Sequence, residues 1–449
     1  MEKILIVILE ACDIKSCEVH NKCKLTIFVN SMNSIMWYNT IMKKFFKSLI
    51  IFILMCPLIT KAFEIEGLYS KNVLVYNLDE DKILYNVKSE DKISIASLTK
   101  IMTTIVAIEN IENLDETITI TSKMLDDIPY DASTAGLEVG DKVTYKDLLY
   151  ASLIPSGADA TQSLAVSISG SVSKFVELMN NKAKSLNMKN THFVNTTGLD
   201  EEGHYSTLED ILILIKYALK NETFKSVFET KSYTTTNNIK LKSTLDYYNR
   251  DFNYNISYVL GSKTGFTDDA GLCLLTLSNV DDTNIITITA NAPYSYGNSK
   301  NMMDLNTIKT SLDKSFEKAT LITENEQLIV LNTKYAKEKK IKITSPYEIT
   351  KYVEKPFNKD KIKTEYTGEK IISYKTEKGT KLGEIKISYN DELVDIIEVK
   401  LDKDLHFSLW VFIKDNILVI TIVIIVFLML LLIIRKSKKK RKRLRKMRR

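Results

Sequence analysis

The amino-acid sequence predicts an α/β (α+β) domain in which helices cover a central antiparallel sheet, followed by a small all-β domain and one C-terminal transmembrane helix. Three observations predict it. Residues 63–318 have strand-like runs at both ends with helical patterns between them, residues 319–405 alternate short strands, and residues 417–434 are apolar. The chain has 449 residues, of which 45% are hydrophobic and 26% charged, and this excludes a fibrous or disordered protein.

The pattern of a secretory signal peptide covers residues 42–62. Lysines follow Met42, the apolar run Leu49–Ile59 comes next, and a small-residue cleavage site ends at Ala62. Because this pattern does not begin at the first residue, we expect Met42 to be the true start. Residues 1–41 are then a possible mis-called N-terminal extension or an unusual leader.

The elements of residues 63–318 follow from local patterns. Two short apolar runs, Val73–Tyr76 and Ile83–Tyr85, flank turn-forming residues and predict a hairpin. A helix is predicted from residue 97 to about residue 111, because isoleucines recur on one face. Further helical patterns cover about 145–153, 157–168, 174–186, 208–220 and 300–317. Strand-like runs lie at 257–264, 272–278 and 284–290. We therefore expect one sheet whose first and last strands pair, with helices on its faces.

The C-terminal third predicts a spacer and an anchor. Residues 319–405 lack helical periodicity and clustered catalytic side chains, so we expect a small β-sandwich-like domain. The eighteen residues 417–434 are all apolar except Thr421. As a helix they would be about 27 Å long, close to the thickness of a bilayer core. The basic residues 435–449 predict a cytoplasmic tail by the positive-inside rule. Everything before residue 417 is then expected on the extracellular side of a single-pass membrane protein.

Charge and cysteine content argue against a nucleic-acid-binding protein and a disulfide-bonded protein. The whole chain carries +6, but residues 435–449 carry +12 and residues 1–62 carry +4, so residues 63–434 carry −10. An acidic body of this kind argues against nucleic-acid binding. Cys273 is the only cysteine after residue 62, which rules out an intramolecular disulfide there, and its apolar surroundings predict burial.

Ser97-Leu98-Thr99-Lys100 places a hydroxyl and an amine one helical turn apart. A hydroxyl needs a neighbouring base, and a lysine serves as that base when burial or a second cation lowers its pKa. The spacing alone is weak evidence, since four other serines have a lysine three residues later. Ser97 differs from them in its context, because it follows a hairpin and opens a strongly apolar helix.

Two further segments add groups of the same chemistry. Lys263-Thr264-Gly265 is the only Lys-[Ser/Thr]-Gly in the chain, and it lies at the end of a strand-like run. There a lysine supplies a second cation, a threonine hydroxyl can bind a carboxylate, and a glycine lets substrate backbone approach the strand edge. Ser156, at a turn between two helices, offers a third hydroxyl.

These three segments, in this order and at these distances, resemble the motifs of the penicillin-recognising serine enzymes. The intervening sequence resembles the serine-type D-alanyl-D-alanine carboxypeptidases, the low-molecular-mass penicillin-binding proteins. The segments that carry this resemblance are Thr191-His192-Phe193-Val194-Asn195, Gly198-Leu199-Asp200, Gly203-His204-Tyr205-Ser206-Thr207 and Lys263-Thr264-Gly265-Phe266-Thr267. The resemblance spans about residues 65–318 and implies a penicillin-binding-protein/β-lactamase-like fold.

The resemblance also implies roles and partners. The substrate is the D-Ala-D-Ala end of a peptidoglycan stem peptide, with β-lactams as acylating inhibitors. Ser97 is implied as nucleophile, Lys100 as its base and Ser156 as a proton relay. Lys263 and Thr264 are implied to bind substrate in the Lys263–Gly265 motif, and the backbone N–H groups of Ser97 and Phe266 to form the oxyanion hole. No cofactor, metal or nucleic acid is implied.

One departure keeps alternatives open. The family usually has Asn at the third position of the middle motif, where this chain has Ala158. The first alternative is therefore a catalytically weak penicillin-binding or cell-wall-binding module. The second is a D,D-endopeptidase, which uses the same acylation chemistry as the carboxypeptidase. A β-lactamase is disfavoured, because no Glu-x-x-Leu-Asn segment lies between the second and third motifs. His192 and His204 lack a third metal ligand in sequence, so we expect structural hydrogen bonding from them.

Overall fold

A computed structural model of the chain describes residues 63–447, except residues 251 and 296–298. The predicted extension and signal peptide, residues 1–62, lie outside the described residues. The strands that precede residue 316 are β1 Asn72–Asn77, β2 Lys82–Val87, β3 Thr117–Thr119, β4 Lys142–Thr144, β5 Ser232–Thr234, β6 Lys240–Lys242, β7 Val259–Thr267, β8 Gly271–Val280 and β9 Thr283–Ala292. The helices of this region are α1 Thr99–Asn110, α2 Ser122–Leu125, α3 Tyr145–Leu153, α4 Ala158–Ser169, α5 Val172–Ser185, α6 Leu208–Ala218, α7 Glu222–Glu229, α8 Thr244–Asn249 and α9 Lys300–Ser315.

The central sheet has the strand order β2-β1-β9-β8-β7, and all of its neighbours are antiparallel. Strands β1 and β9 pair, with Val75 opposite Thr287, so the prediction that the first and last strands pair is confirmed. The inner strands β8 and β9 are almost wholly buried, because helices cover both faces of the sheet. Cys273 lies in β8 and is buried, as predicted, and burial raises the pKa of its thiol to about 12. Strand β7 is left at the edge.

Helix α1 forms the centre of the helical layer. Its residues Thr99 to Ala107 are all buried, so it packs on every side rather than along one stripe. Two buried threonines find partners within this packing. Thr103 donates to the Thr196 carbonyl over 2.8 Å, and Thr104 bonds Ser152 of α3 over 2.8 Å. These bonds fix α1 against the segments that carry the site residues described below.

The sequence patterns missed the shortest elements. Helices α2, α7 and α8 and the small hairpins β3–β4 and β5–β6 were not predicted, because elements of three to eight residues contain too few turns or alternations to show a period. Tertiary packing stabilises them instead. Phe224 and Phe228 anchor α7 in the core, and Leu245 anchors α8.

The following region is entirely β apart from one short 3₁₀ turn at Lys359–Lys361. Its strands are β10 Phe316–Ile322, β11 Gln327–Lys334, β12 Lys340–Thr344, β13 Ile349–Glu354, β14 Ile362–Gly368, β15 Ile371–Ser373, β16 Lys381–Tyr389 and β17 Glu392–Lys400. They form a two-stranded sheet, β10-β13, and two three-stranded sheets, β12-β11-β15 and β14-β16-β17, around one apolar core. The predicted boundary between residues 318 and 319 lies inside β10, which begins directly after α9.

Two helices end the described chain, α10 Leu409–Asp415 and α11 Ile417–Met447. Helix α11 includes the predicted span 417–434 and continues through the basic segment. Residues Ile417–Leu444 are long and apolar enough to cross a membrane, with a mean hydropathy of 3.7 in the most apolar window, and none of that window is buried within the protein. The length, hydropathy and exposure of this helix are consistent with its association with a membrane.

Candidate active site

A cleft of about 500 Å³ opens beside the edge strand β7. Its walls are the turn before α1, the α3–α4 loop, residues 129–133, residues 197–200, and α8. Six of the seven predicted site residues line it, namely Ser97, Lys100, Ser156, Thr264, Gly265 and Phe266. Lys263, the seventh, lies just behind the wall and reaches the cleft through a hydrogen bond to Ser156.

Ser97 and Lys100 form the first pair of the cleft. Ser97 lies in the 3₁₀ turn Ala96–Leu98, and α1 begins two residues later, so Lys100 follows one turn on. The Lys100 Nζ is 2.7 Å from Ser97 Oγ and donates to the Thr197 carbonyl over 2.8 Å. Burial lowers the pKa of Lys100 to about 7, against the opposing effect of the Asp159 carboxylate. Half of this amine is therefore neutral near pH 7 and can accept the Ser97 proton.

Ser156 and Lys263 form the second pair. The Lys263 Nζ donates to Ser156 Oγ over 2.7 Å and to the Thr264 carbonyl over 2.7 Å. Burial, and then the positive charge of Lys100, hold the pKa of Lys263 well below its usual range. Ser156 adopts a left-handed backbone conformation, φ 65°, which is strained for a residue with a side chain. The α3–α4 loop holds the hydroxyl in place at that conformational cost.

Two threonine hydroxyls lie beside the second pair. Thr264 Oγ1 donates to Thr244 Oγ1 over 2.6 Å, and both residues line the cleft. Thr244 belongs to α8, so sequence patterns did not single it out. Each hydroxyl is able to donate to a carboxylate oxygen of a ligand in the cleft.

Gly265 explains how β7 approaches the nucleophile. A Cβ at this position would lie 3.0 Å from the Ser97 nitrogen and 3.0 Å from the Ala96 Cβ. Only a residue without a side chain leaves this contact relaxed. The outer end of the strand is aromatic, since the ring of Phe266 packs against Tyr294 at a centroid distance of 4.7 Å.

Asp159 is a positioning residue that the sequence patterns missed. Its buried carboxylate accepts hydrogen bonds from the backbone N–H groups of Ala135, Gly136 and Leu137 at 2.8–3.0 Å, and from Ala160. It thereby ties the loop that forms one wall of the cleft to the first turn of α4. An acidic residue in the first turn of a helix was the available signal.

The two histidines have structural partners. The His204 Nε2 is 2.8 Å from Thr99 Oγ1, and its Nδ1 accepts from the Val194 N–H, so the neutral ring bridges α1 and the segment after α5. Burial lowers the pKa of His204 to about 4. The His192 Nδ1 bonds the Gly203 carbonyl over 2.8 Å. Among the described residues no group of three His, Cys, Asp or Glu side chains is placed to hold a metal ion.

Comparison with known proteins agrees with this geometry. The family model described as D-alanyl-D-alanine carboxypeptidase matches residues 60–294, just over half of the chain. This chain belongs to the D-alanyl-D-alanine carboxypeptidase family. The carboxypeptidase is 32% identical to D-alanyl-D-alanine carboxypeptidase DacF of Bacillus subtilis over 343 residues, which cover 75% of this chain and 86% of that protein.

Two further comparisons extend this result. A D-alanyl-D-alanine endopeptidase of Pseudomonas aeruginosa is 30% identical to the carboxypeptidase over 238 residues, which are 51% of this chain and 74% of that protein. The fold is also similar to the crystal structure of a peptidoglycan synthesis regulatory factor, PBP3 of Streptococcus pneumoniae, with a TM-score of 0.59 and 20% identity. The superposition covers 76% of this chain and all of the PBP3 chain. The penicillin-binding-protein fold with its additional β domain is therefore confirmed. The carboxypeptidase is a serine-type peptidase and hence a hydrolase, as the sequence predicted.

Proposed function

We propose that the carboxypeptidase removes the terminal D-Ala of peptidoglycan stem peptides through an acyl-enzyme on Ser97. The observation that carries this proposal is the 2.7 Å contact between Ser97 Oγ and the Nζ of a buried lysine whose pKa is about 7. The neutral amine takes the hydroxyl proton while Oγ attacks the carbonyl carbon of the penultimate D-Ala. A tetrahedral intermediate forms, with its negative charge on the former carbonyl oxygen.

The backbone N–H groups of Ser97 and Phe266 are the proposed donors to that oxygen. Gly265, which precedes Phe266, brings β7 against the Ser97 turn. The C–N bond to the terminal D-Ala then breaks, and the leaving amine takes a proton from Ser156, whose hydroxyl is oriented by Lys263. The proton that Lys100 accepted restores the Ser156 hydroxyl, so Lys100 is neutral again. Water next attacks the ester, its proton passes to Lys100, and Ser97 Oγ leaves with that proton restored.

Substrate orientation is the proposed role of Thr264 and Lys263. The terminal carboxylate of the substrate would accept from the Thr264 hydroxyl, and its negative charge would favour the protonated form of the adjacent Lys263. Penicillin carries a carboxylate and a reactive amide carbonyl, so the same contacts support its acylation of Ser97. The partners of the cleft are therefore the D-Ala-D-Ala end of a stem peptide and β-lactams.

Ala158 replaces an amide that would have braced the lysine, and the structure supplies another brace. Lys100 donates to the Thr197 carbonyl, and Ala158 itself is buried with its N–H donating to Ser133 O over 2.8 Å. We therefore expect nucleophile activation to survive, and any effect of Ala158 to fall on substrate positioning. The relative named as an endopeptidase makes cleavage of D-Ala cross-links the second candidate.

A fluorescent penicillin tests the nucleophile. The full chain in detergent should be labelled, Ser97→Ala should lose the label, and Ser94→Ala, three residues upstream, should retain it. Wild-type protein should release D-Ala from diacetyl-Lys-D-Ala-D-Ala, and comparison with a D-Ala cross-linked peptide separates carboxypeptidase from endopeptidase preference. Labelling without D-Ala release would favour the weak penicillin-binding module, and an absence of labelling would refute the proposed site.

We further propose that the catalytic domain lies on the extracellular, cell-wall side of the membrane. The support is the segment 435–449, whose basic residues follow the apolar part of α11. Protease added outside intact cells should then degrade residues 63–405 and leave a C-terminal fragment protected.

A further inference from the structure

A second cavity, of about 850 Å³, lies at the junction of the β domain and α10. It shares no lining residue with the catalytic cleft. One wall is the turn between β11 and β12, and the other is α10 with the first residue of α11. Its lining is Thr333, Ala336, Lys337, Lys339, Ser408, Trp410, Val411, Ile413, Lys414, Asp415 and Ile417.

The walls are held together by specific contacts. Phe412 of α10 packs edge-on against Tyr335 at a centroid distance of 4.9 Å, and Phe407 packs on Tyr374 at 5.0 Å. The Ser408 N–H donates to the Tyr335 carbonyl over 2.9 Å, and the Lys337 N–H donates to the His406 carbonyl over 2.7 Å. The cavity is therefore a built feature of the β domain.

The position of the cavity is set by α11. Ile417, the first residue of the membrane-spanning candidate, forms part of the lining, so the cavity opens where the apolar helix begins. Helix α10 has seven residues and is about 10 Å long, comparable to the headgroup layer of a bilayer. Trp410 on this helix is 84% exposed, as is typical of a side chain at a membrane interface.

The lining combines positive charge with apolar surface. Lys337, Lys339 and Lys414 outnumber the single carboxylate, Asp415. None of these three lysines has an ion-pair partner within the part of the chain that the structure describes. The apolar side chains of Val411, Ile413 and Ile417 line the same cavity. A ligand that fits must carry a negative head and an apolar body.

We propose that this cavity binds the phosphate headgroup of an anionic phospholipid in the membrane leaflet on the β-domain side. The lysines of the β11–β12 turn contact the phosphate, and the acyl chains lie along α10 and the start of α11. This proposal rests on membrane insertion of α11. It is independent of the basic residues 435–449, which lie beyond the far end of the apolar segment.

Trp410 supplies the test, because Trp37 is the only other tryptophan of the chain. The full chain with Trp37→Phe is placed in phosphatidylcholine vesicles that contain either brominated phosphatidylglycerol or the same amount of brominated phosphatidylcholine. We expect brominated phosphatidylglycerol to quench Trp410 more strongly. Each lysine near the surface favours an anionic lipid about fivefold, so Lys337→Gln with Lys339→Gln should remove most of this preference.

Two comparisons make the test specific. Lys361→Gln with Lys386→Gln is the matched control, since both lysines belong to the β domain and neither lines the cavity, and it should keep the preference. Equal quenching by the two lipids in the wild-type chain would overturn the proposal, and so would a preference that Lys337→Gln with Lys339→Gln leaves intact. Displacement by inorganic phosphate, but not by chloride at equal ionic strength, would assign the cavity to free phosphate instead. Quenching by neither lipid would refute both this site and the membrane position of α10, while penicillin labelling of Ser97 reports separately on the proposed function.

Discussion

The rate at which penicillin acylates Ser97 should rise with pH and level off above pH 7. Lys100 is the base in the proposed mechanism, and only its neutral form can accept the Ser97 proton. Its ordinary pKa of 10.5 falls to about 7 on burial. The neutral fraction is then about one half at pH 7 and about one hundredth at pH 5, so acylation should slow about 50-fold between these two values.

The same values give the catalytic effect of burial. A lysine with a pKa of 10.5 would be neutral in about 0.03% of molecules at pH 7, so burial increases the reactive fraction about 1,500-fold. The lowered pKa also affects stability. The unfolded chain holds the Lys100 proton up to pH 10.5 and the folded chain only to about pH 7, so the free energy of unfolding should increase with pH across this window.

The assay is the second-order rate constant for labelling by a fluorescent penicillin from pH 5 to pH 9, with circular dichroism at each pH to verify the fold. His204 titrates near pH 4, well below the expected midpoint, so its protonation is separated from that of Lys100. Lys100→Arg, which stays charged, should abolish labelling at every pH. A wild-type rate that does not change with pH, or that rises only above pH 9, would refute the assignment of Lys100 as the base.

Three other predictions follow from single contacts. His204 has a pKa of about 4 in the folded chain and an ordinary value of 6.5. The free energy of unfolding in urea should therefore fall by about 3 kcal/mol as the pH drops through this window. His204→Gln should flatten this fall, and His192→Gln should not. Thr244→Val removes the hydroxyl 2.6 Å from Thr264. It should lower kcat/KM roughly tenfold for a peptide with a free terminal carboxylate and change it little for the peptide's C-terminal amide. Equal losses for both peptides would contradict a carboxylate contact. Gly265→Ala places a Cβ 3.0 Å from the Ser97 nitrogen. It should slow penicillin labelling about tenfold while the melting temperature falls by only a few degrees. An unchanged labelling rate would show that the close approach is dispensable.

The long elements and the three motifs could be predicted from sequence because each carries its own local signal. The apolar helix at residue 97 and the three last strands of the sheet have clear periods, and their order indicated which strands pair. Spacing alone could not distinguish Ser97 from the other serines followed by lysine. The structure separates them by context, since Ser171 caps α5 and Ser89 donates to Glu209.

The missed residues act through contacts between distant parts of the chain. Asp159 accepts from residues more than twenty positions earlier. Thr244 depends on α8, which is too short to show a helical period. No local pattern encodes such partnerships, because they arise only when the sheet and α1 have packed together.

The edge position of β7 has a consequence for solubility. Unpaired N–H and C=O groups at the edge of a sheet can pair with another chain and cause aggregation. Along β7, Gly261 lies so close to Phe228 that a Cβ would come within 2.5 Å of its ring, and Gly265 lies against the Ser97 turn. Helix α7 and that turn therefore pack on one face of the strand, on either side of Lys263. The catalytic cleft is lined by residues 264–268 around the end of the strand, so a ligand in the cleft meets only a short stretch of this edge, which suits the end of a peptide.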